Sequence, residues 1–341
     1  MRTFASLSRS FAAALVLSLA LPAGTALAAD EEDGGDDAST LRIRTVAPKA
    51  SPWGEMLTSL ASRIKKDTND RLKIKIYWQS KSEPAAVRQC TQGKVGGIAV
   101  SMGALASAVP DLNATEVPYL FDNYAQADKA FRAAEGLIGD LMKKQGFILA
   151  VRGENGFRHF AAKDKFLMKP EDFKGLAMRS QPSQIHQDMY AALGATPNPI
   201  QVAEVPSSLQ NGVVKGYDNT LLYGKLANWA DGIKFVTLSS HIYQGAVIAW
   251  CKPWFDKLPA DLQAALMKDD PKLEETGLKL VRAFNDNLMP AQYQKAGIQL
   301  KPLAAGDKAA LKGKLGSVEA KFRASASGDG KKLLDLLKAS R

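Results

Sequence analysis

The sequence predicts an α/β protein of two lobes, each holding a parallel or mixed sheet, with crossing strands between them and a ligand cleft at their strand ends. Three observations predict it. Residues 41–101 alternate strand-like and helix-like patterns in the order β-α-β-α-β, which implies a parallel sheet with helices on its faces. Over residues 146–163 two strand-like segments follow one another with no helix between them, as a crossing into a second lobe requires. About 300 residues remain after a polar N-terminal region, more than one core usually organises.

The elements follow in chain order. Residues 1–28 carry Arg2 and Arg9, an apolar run too short for a comfortable membrane span, and a small-residue end, Ala26-Leu27-Ala28. That order marks a secretory signal peptide cut near Ala28, so the mature chain is expected to be exported. Residues 29–39 include six acidic side chains within "DEEDGGDD" and can bury nothing, so they read as a disordered leader. "LRIRTVAP" and "LKIKIYW" alternate as half-buried strands. Between them Trp53, Met56, Leu57, Leu60 and Ile64 recur at helical spacing behind Pro52. "EPAAVRQCTQG", which opens on Glu83, reads as a short helix closed by Gly93, and "GGIAVS" as the next strand.

After the crossing, Leu176-Ala177-Met178 forms a short apolar strand ending in Arg179. A loop with Pro182 follows, then Ser183 as candidate N-cap of a helix stopped by Gly194. "AEVPSSLQNG" reads as a helix, "VVKGYDN" and "IKFVTL" as strands, and "YQGAVIAWC" as the strand that returns the chain. Residues 259–287 read as one long helix before a helix-rich tail. Lobe I is thereby expected to take residues 40–151 and 243–285, and lobe II residues 152–242 and 286–341.

Formal charge is +10, and loss of Arg2 and Arg9 with the signal peptide lowers it by two. A basic surface suits nucleic acid, anionic membrane or an anionic ligand. The lysines are dispersed, no nucleic-acid motif accompanies them, and export argues against nucleic acid. The two cysteines, Cys90 and Cys251, read as a pair of buried thiols, with a single bridge as the alternative. His159, His186 and His241 are scattered without metal-ligand spacing, so no metal and no cofactor are expected.

Catalytic motifs are wanting. Ser62-Arg63-Ile64-Lys65 matches S-x-x-K without its companion motifs, and no G-x-S-x-G occurs. Binding is better supported. Arg179 at the carboxyl end of a strand, beside a helix start, combines a five-donor fork with free backbone N–H groups, an arrangement that suits a carboxylate. Internal pairing with Asp172 or Glu204 is the competing account of the same arginine. Arg158, within "ENGFRHF", is either a second ligand contact or an arginine stacked among Phe157, His159 and Phe160. Asn219, at another strand end, can donate to an anion and accept from a hydroxyl, or be an ordinary turn residue.

Taken together, "VPYLF", "ENGFRHF", "FKGLAMRSQPSQ" and "ALGATPNPIQVAEVPSSLQNGVVKGYDN" resemble the solute-binding proteins of tripartite ATP-independent periplasmic (TRAP) transporters, the DctP type, from about residue 41 to 259. The resemblance implies a periplasmic-binding-protein fold that closes on an organic acid and delivers it to TRAP permease subunits in the membrane. It places Arg179 where the family has its main carboxylate-binding arginine, with Arg158 and Asn219 as further contacts. Lys215 stands where the family usually has an acid, and the loop after Asn219 lacks the family's proline. "SPWGEML" and "SKSEPAAVRQ" resemble a branch associated with more apolar ligands, which would bring Trp53 and Trp78 to the cleft; Glu83 and Trp53 are counted with the expected site. Trp53 and Trp78 read as core by period alone. Against this receptor, expected to be monomeric, stand a same-fold receptor for a hydrophobic ligand and an exported hydrolase or lyase.

Overall fold

The computed structural model describes residues 40–341; the signal peptide and acidic leader lie outside the described residues. The strands are β1 (Thr40–Thr45), β2 (Lys73–Tyr77), β3 (Gly97–Ser101), β4 (Phe147–Ala162), β5 (Ala177–Ser180), β6 (Thr196–Pro199), β7 (Gly216–Asn219), β8 (Phe235–Cys251) and β9 (Gln299–Pro302). The helices are α1 (Pro52–Asp67), α2 (Glu83–Thr91), α3 (Met102–Leu105), α4 (Tyr124–Lys144), α5 (Gln184–Ala192), α6 (Val205–Gln210) and α7 (Leu221–Leu226). They continue with α8 (Lys252–Phe255), α9 (Ala260–Leu266), α10 (Pro271–Ala283), α11 (Met289–Lys295), α12 (Ala305–Ser325) and α13 (Gly328–Ser340).

The strands join in the order β2-β1-β3-β8-β4-β7-β5-β6, with β9 also on β8. At one end β1 pairs in parallel with both β2 and β3, and at the other β5 pairs in parallel with β6 and β7. The two ends are bridged by the antiparallel pair β4 and β8, of 16 and 17 residues, against about 5–6 for an ordinary strand. The two segments expected at 146–163 are thus one strand, as are "IKFVTL" and "YQGAVIAWC". Their apparent breaks are bends within a ladder: register shifts fall between Leu149 and Val151, Glu154 and Gly156, and Arg158 and Phe160, and Ser240 has φ 44°. A bulge bends a strand and re-aims its side chains without ending the pairing. Gly156 is required at the middle shift, because its φ is 96° and a Cβ there would meet Asn285 Nδ2 at 3.0 Å.

The helix expected over 259–287 is broken. Asp270 caps α10 by accepting from Leu273 N–H at 3.1 Å, and Pro271 can begin a helix but not continue one. A π-turn, Phe284–Leu288, then separates α10 from α11. Three apolar cores support the frame. Leu57, Leu60 and Ile64 of α1 lie against Leu41, Ile43 and Trp250; Phe131 and Met142 of α4 join Val247 and the last-helix leucines Leu333, Leu334 and Leu337; Val205, Leu209, Val236 and Trp229 form the third.

The cysteines, expected as two free thiols, are bridged. Cys90 and Cys251 stand 161 residues apart in sequence but 5.0 Å apart at Cα. The parallel crossover brings α2 against the end of β8, which the sequence distance did not reveal. The bridge anchors α2, the helix whose first residue is Glu83.

Candidate functional site

A cavity of about 50 Å³ lies where the strand ends meet, bordered by Trp53, Glu83, Arg158, Arg179, Asn219 and Gln244 among others. At about 10–15 Å³ per water on this measure, that is room for roughly four waters or a small solute. All five residues singled out in the sequence line it.

Arg179 is the penultimate residue of β5, and it is 1% exposed. Its Nε donates to Ile200 O at 3.1 Å, and its guanidinium lies over the Trp229 ring, 4.7 Å from the centroid. Neither expected internal partner reaches it: Asp172 accepts from Met168 and Lys169 N–H instead, and among the described residues no carboxylate forms an ion pair with Arg179. One of its five N–H donors is therefore used and four have no protein acceptor. Burial, reinforced by the charge of Arg158, pulls its pKa down to about 10.

Arg158 is as deeply buried but differently employed. It is not stacked among aromatics. Its Nε donates to Asp218 Oδ2 at 2.6 Å, Nη2 to the Asp218 carbonyl, and Nη1 to Gln244 Oε1 at 2.7 Å and Asn219 Oδ1 at 3.2 Å. Four of its five hydrogens are accounted for, and its charge is matched by Asp218. The carboxylate of Asp218 also takes the Tyr190 hydroxyl at 3.0 Å and faces His186 and His241, each at 3.5 Å. Burial works against that charge, but Arg158 and the histidines hold its pKa well below the usual range.

Asn219 ends β7; its Oδ1 also accepts from Thr220 N–H at 2.8 Å, which leaves the amide Nδ2 without a protein partner. Glu83, at the start of α2, accepts from Ser101 N–H at 2.8 Å and Ser101 Oγ at 3.0 Å. Trp53 donates from Nε1 to Glu154 O at 2.9 Å, so it both packs in the core and walls the cavity. Trp78 lies partly buried against the same core. Ser183 stands at the N-cap of α5, but its hydroxyl donates to Asn113 instead of the helix.

Sequence reasoning missed the groups behind this surface. Gln181 and Gln244 hydrogen-bond to one another at 2.8 Å and link Arg158 to Glu116. Glu116, fully buried, accepts from Gly103 N–H and pairs with His186 Nε2 at 2.6 Å. A Cβ at residue 103 would fall 2.5 Å from Glu116 Oε2, so glycine is needed for that approach. The histidines showed no telling carboxylates because the partners of His186 come from 70 residues before it and 32 after. Among the described residues, no group of three or more His, Cys, Asp or Glu is placed to hold a metal ion.

Two α/β ends joined by long crossing strands, with a cavity between them that sets a few charged groups in a largely apolar lining, define an extracytoplasmic solute-binding protein. Residues 43–325 match the family model described as bacterial extracellular solute-binding protein, family 7, DctP. The chain belongs to that family: it is a TRAP-type solute receptor and not an enzyme. It is 30% identical over 254 residues to a solute-binding protein of Verminephrobacter eiseniae, covering 73% of this chain and 74% of that one. It is 27% identical to the C4-dicarboxylate-binding periplasmic protein DctP of Rhodobacter capsulatus, over 78% and 80%. In fold it is similar to a TRAP periplasmic solute-binding protein of Roseobacter denitrificans with bound β-D-glucuronate (TM-score 0.83, 20% identity, 89% of this chain and 100% of that one). It is also similar to one of Sulfurospirillum deleyianum with bound succinate (0.81, 22%, 89% and 99%). The family is periplasmic, and its members work with TRAP membrane permeases.

Proposed function

We propose that this receptor captures a small carboxylate-bearing solute in the cavity between its strand ends and hands it to its TRAP permease. Arg179 grips the carboxylate with two parallel charge-assisted hydrogen bonds, Asn219 adds a donor, Arg158 holds the remaining free hydrogen toward the ligand, and Glu83 and Trp53 complete the lining. One observation carries the reading: Arg179 is a buried guanidinium with four unused donors and no counter-ion. Burying an uncompensated charge costs several kcal/mol, of which the Trp229 face returns up to about 2. A bound anion supplies the rest.

The liganded solved relatives support the same class, since their ligands, succinate and β-D-glucuronate, each carry a carboxylate. The small cavity does not favour a lipid-sized ligand. The mature receptor acts as a monomer after cleavage near Ala28, with residues 40–151 and 243–285 as one lobe and 152–242 and 286–341 as the other. Native mass spectrometry of the exported protein, followed by identification of the released molecule, tests this reading. An organic acid is expected; a neutral or purely apolar ligand would overturn it.

A further inference from the structure

The charges bordering the cavity are not equivalent. Arg158 is matched by Asp218. Glu154, which also borders the cavity, spends its carboxylate on Arg282 and on the Tyr243 hydroxyl. That leaves one cation without a protein counter-ion, Arg179, and one carboxylate without a cation, Glu83, which forms no ion pair among the described residues. Both border the same space; burial raises the pKa of Glu83, while the Ser101 hydrogen bonds and the nearby charge of Arg179 act the other way and favour its carboxylate form. The rest of the wall is neutral: Ser51, Gln181 and Gln244, with Ala47, Pro52 and Val281 on its apolar side.

Glu83 is also held in one orientation. Ser101 Oγ accepts from Gln181 Nε2 at 3.0 Å and from Ala104 N–H at 3.2 Å, so its own hydrogen is directed to Glu83. Glu83 therefore receives two hydrogen bonds from Ser101, its helix is tied down by the Cys90–Cys251 bridge, and about two lone-pair directions remain unfilled. Shutting such a carboxylate away without a donor is costly, and setting a second carboxylate against it is costlier still.

We propose that Glu83 sets specificity: it selects a small monocarboxylate that brings a hydrogen-bond donor to it, a hydroxyl or an amine, and it turns away dicarboxylates of the same length. The proposal rests on the reading that Arg179 takes the ligand's carboxylate. A site built to accept from a ligand donor discriminates strongly against the analogue that lacks one, because its buried acceptor is then left unpaired.

Calorimetry at pH 8 on the mature chain tests this with four-carbon probes. They are D-erythronate and D-threonate, which carry hydroxyls; 4-aminobutanoate, which carries an ammonium; butanoate, which has neither; and succinate, with its second carboxylate. At least one donor-bearing probe should bind about tenfold or more tighter than both butanoate and succinate, and the hydroxyl and ammonium arms tell which donor is preferred. Glu83→Gln should narrow the gap to succinate about tenfold. Glu83→Asp, which keeps the charge but draws it back, should keep succinate excluded while weakening the preferred probe, and serves if the glutamine variant fails to fold. Succinate binding as tightly as the best donor-bearing probe, no binding by any probe, or an unchanged ratio in a folded Glu83→Gln would overturn the proposal. Loss of binding in Arg179→Ala with that ratio unchanged would sink the role of Glu83 alone. Undiminished binding in Arg179→Ala would sink the carboxylate reading beneath it.

Discussion

Replacing Arg179 by lysine keeps a positive charge at the end of β5 and removes the fork. In the native chain the Nε hydrogen is spent on Ile200 O, and the four terminal hydrogens have no protein acceptor, so two parallel bonds to a ligand carboxylate are available. A lysine ammonium cannot reproduce both in one plane. Losing one hydrogen bond to a charged group costs about 1.5–3 kcal/mol, or roughly tenfold to 150-fold in affinity. Alanine leaves the ligand's carboxylate desolvated and unpaired, a loss of about 2–5 kcal/mol, or roughly thirtyfold to several thousandfold. Stability of the ligand-free form should respond differently. Alanine forfeits the contact with Trp229, about 2 kcal/mol at most, but it also removes a buried charge with no counter-ion, and the two effects oppose. The unfolding midpoint of the ligand-free form should therefore move by no more than about 4 °C. Calorimetric titration of both variants with the identified ligand, beside thermal melts without it, reads the two effects separately. Near-native affinity together with a large fall in the ligand-free midpoint would make Arg179 a structural residue and refute the reasoning.

Three further outcomes are expected. Arg158→Ala should destabilise the ligand-free protein by about 3–5 kcal/mol, because Asp218 is left buried without its cation; a loss below 1 kcal/mol in denaturant unfolding would contradict the pairing. Thiol titration of the denatured, unreduced protein should find neither Cys90 nor Cys251 free, and Cys90→Ser with Cys251→Ser should cost about 2–5 kcal/mol, since the bridge closes a long loop. Burial holds His241 down to about 4 and His159 to about 3. Both bind protons more readily unfolded, where an imidazole titrates near 6.5, so stability should be full above that pH and fall by about 1.4 kcal/mol per unit per histidine as pH drops toward 4. His159→Gln, which keeps an acceptor for Ser240 N–H, should flatten that acid limb; a limb of unchanged slope would count against a neutral, half-buried His159.

How far these features were legible in the sequence depends on how local their causes are. Strand ends leave local marks. An apolar run stopped by a charge located Arg179, and "VVKGYDN" located Asn219, because period, punctuation and helix starts are read within a dozen residues. The two crossing strands were seen as four segments, since Gly156, Ser240 and the register shifts of β4 mimic strand ends while the ladder continues through them. The disulfide and the buried network were invisible for the opposite reason: each joins residues that only the sheet topology brings together, Cys90 with Cys251, and His186 with Glu116 and Asp218.

That hidden network explains why the legible residue is the one with chemistry left to offer. Two guanidiniums face one small cavity, and the lowered pKa of Arg179 reflects its burial first and the neighbouring charge of Arg158 second. They coexist because Asp218, steadied by Tyr190 and facing two histidines, matches Arg158 and occupies its donors. Asp218 belongs to β7, one residue before Asn219, and β7 pairs in parallel with the strand that carries Arg179. The same short strand therefore neutralises one arginine and presents an amide beside the cavity that the other enters. In the proposed reading, one arginine is satisfied by the protein so that the other is left free for an anion.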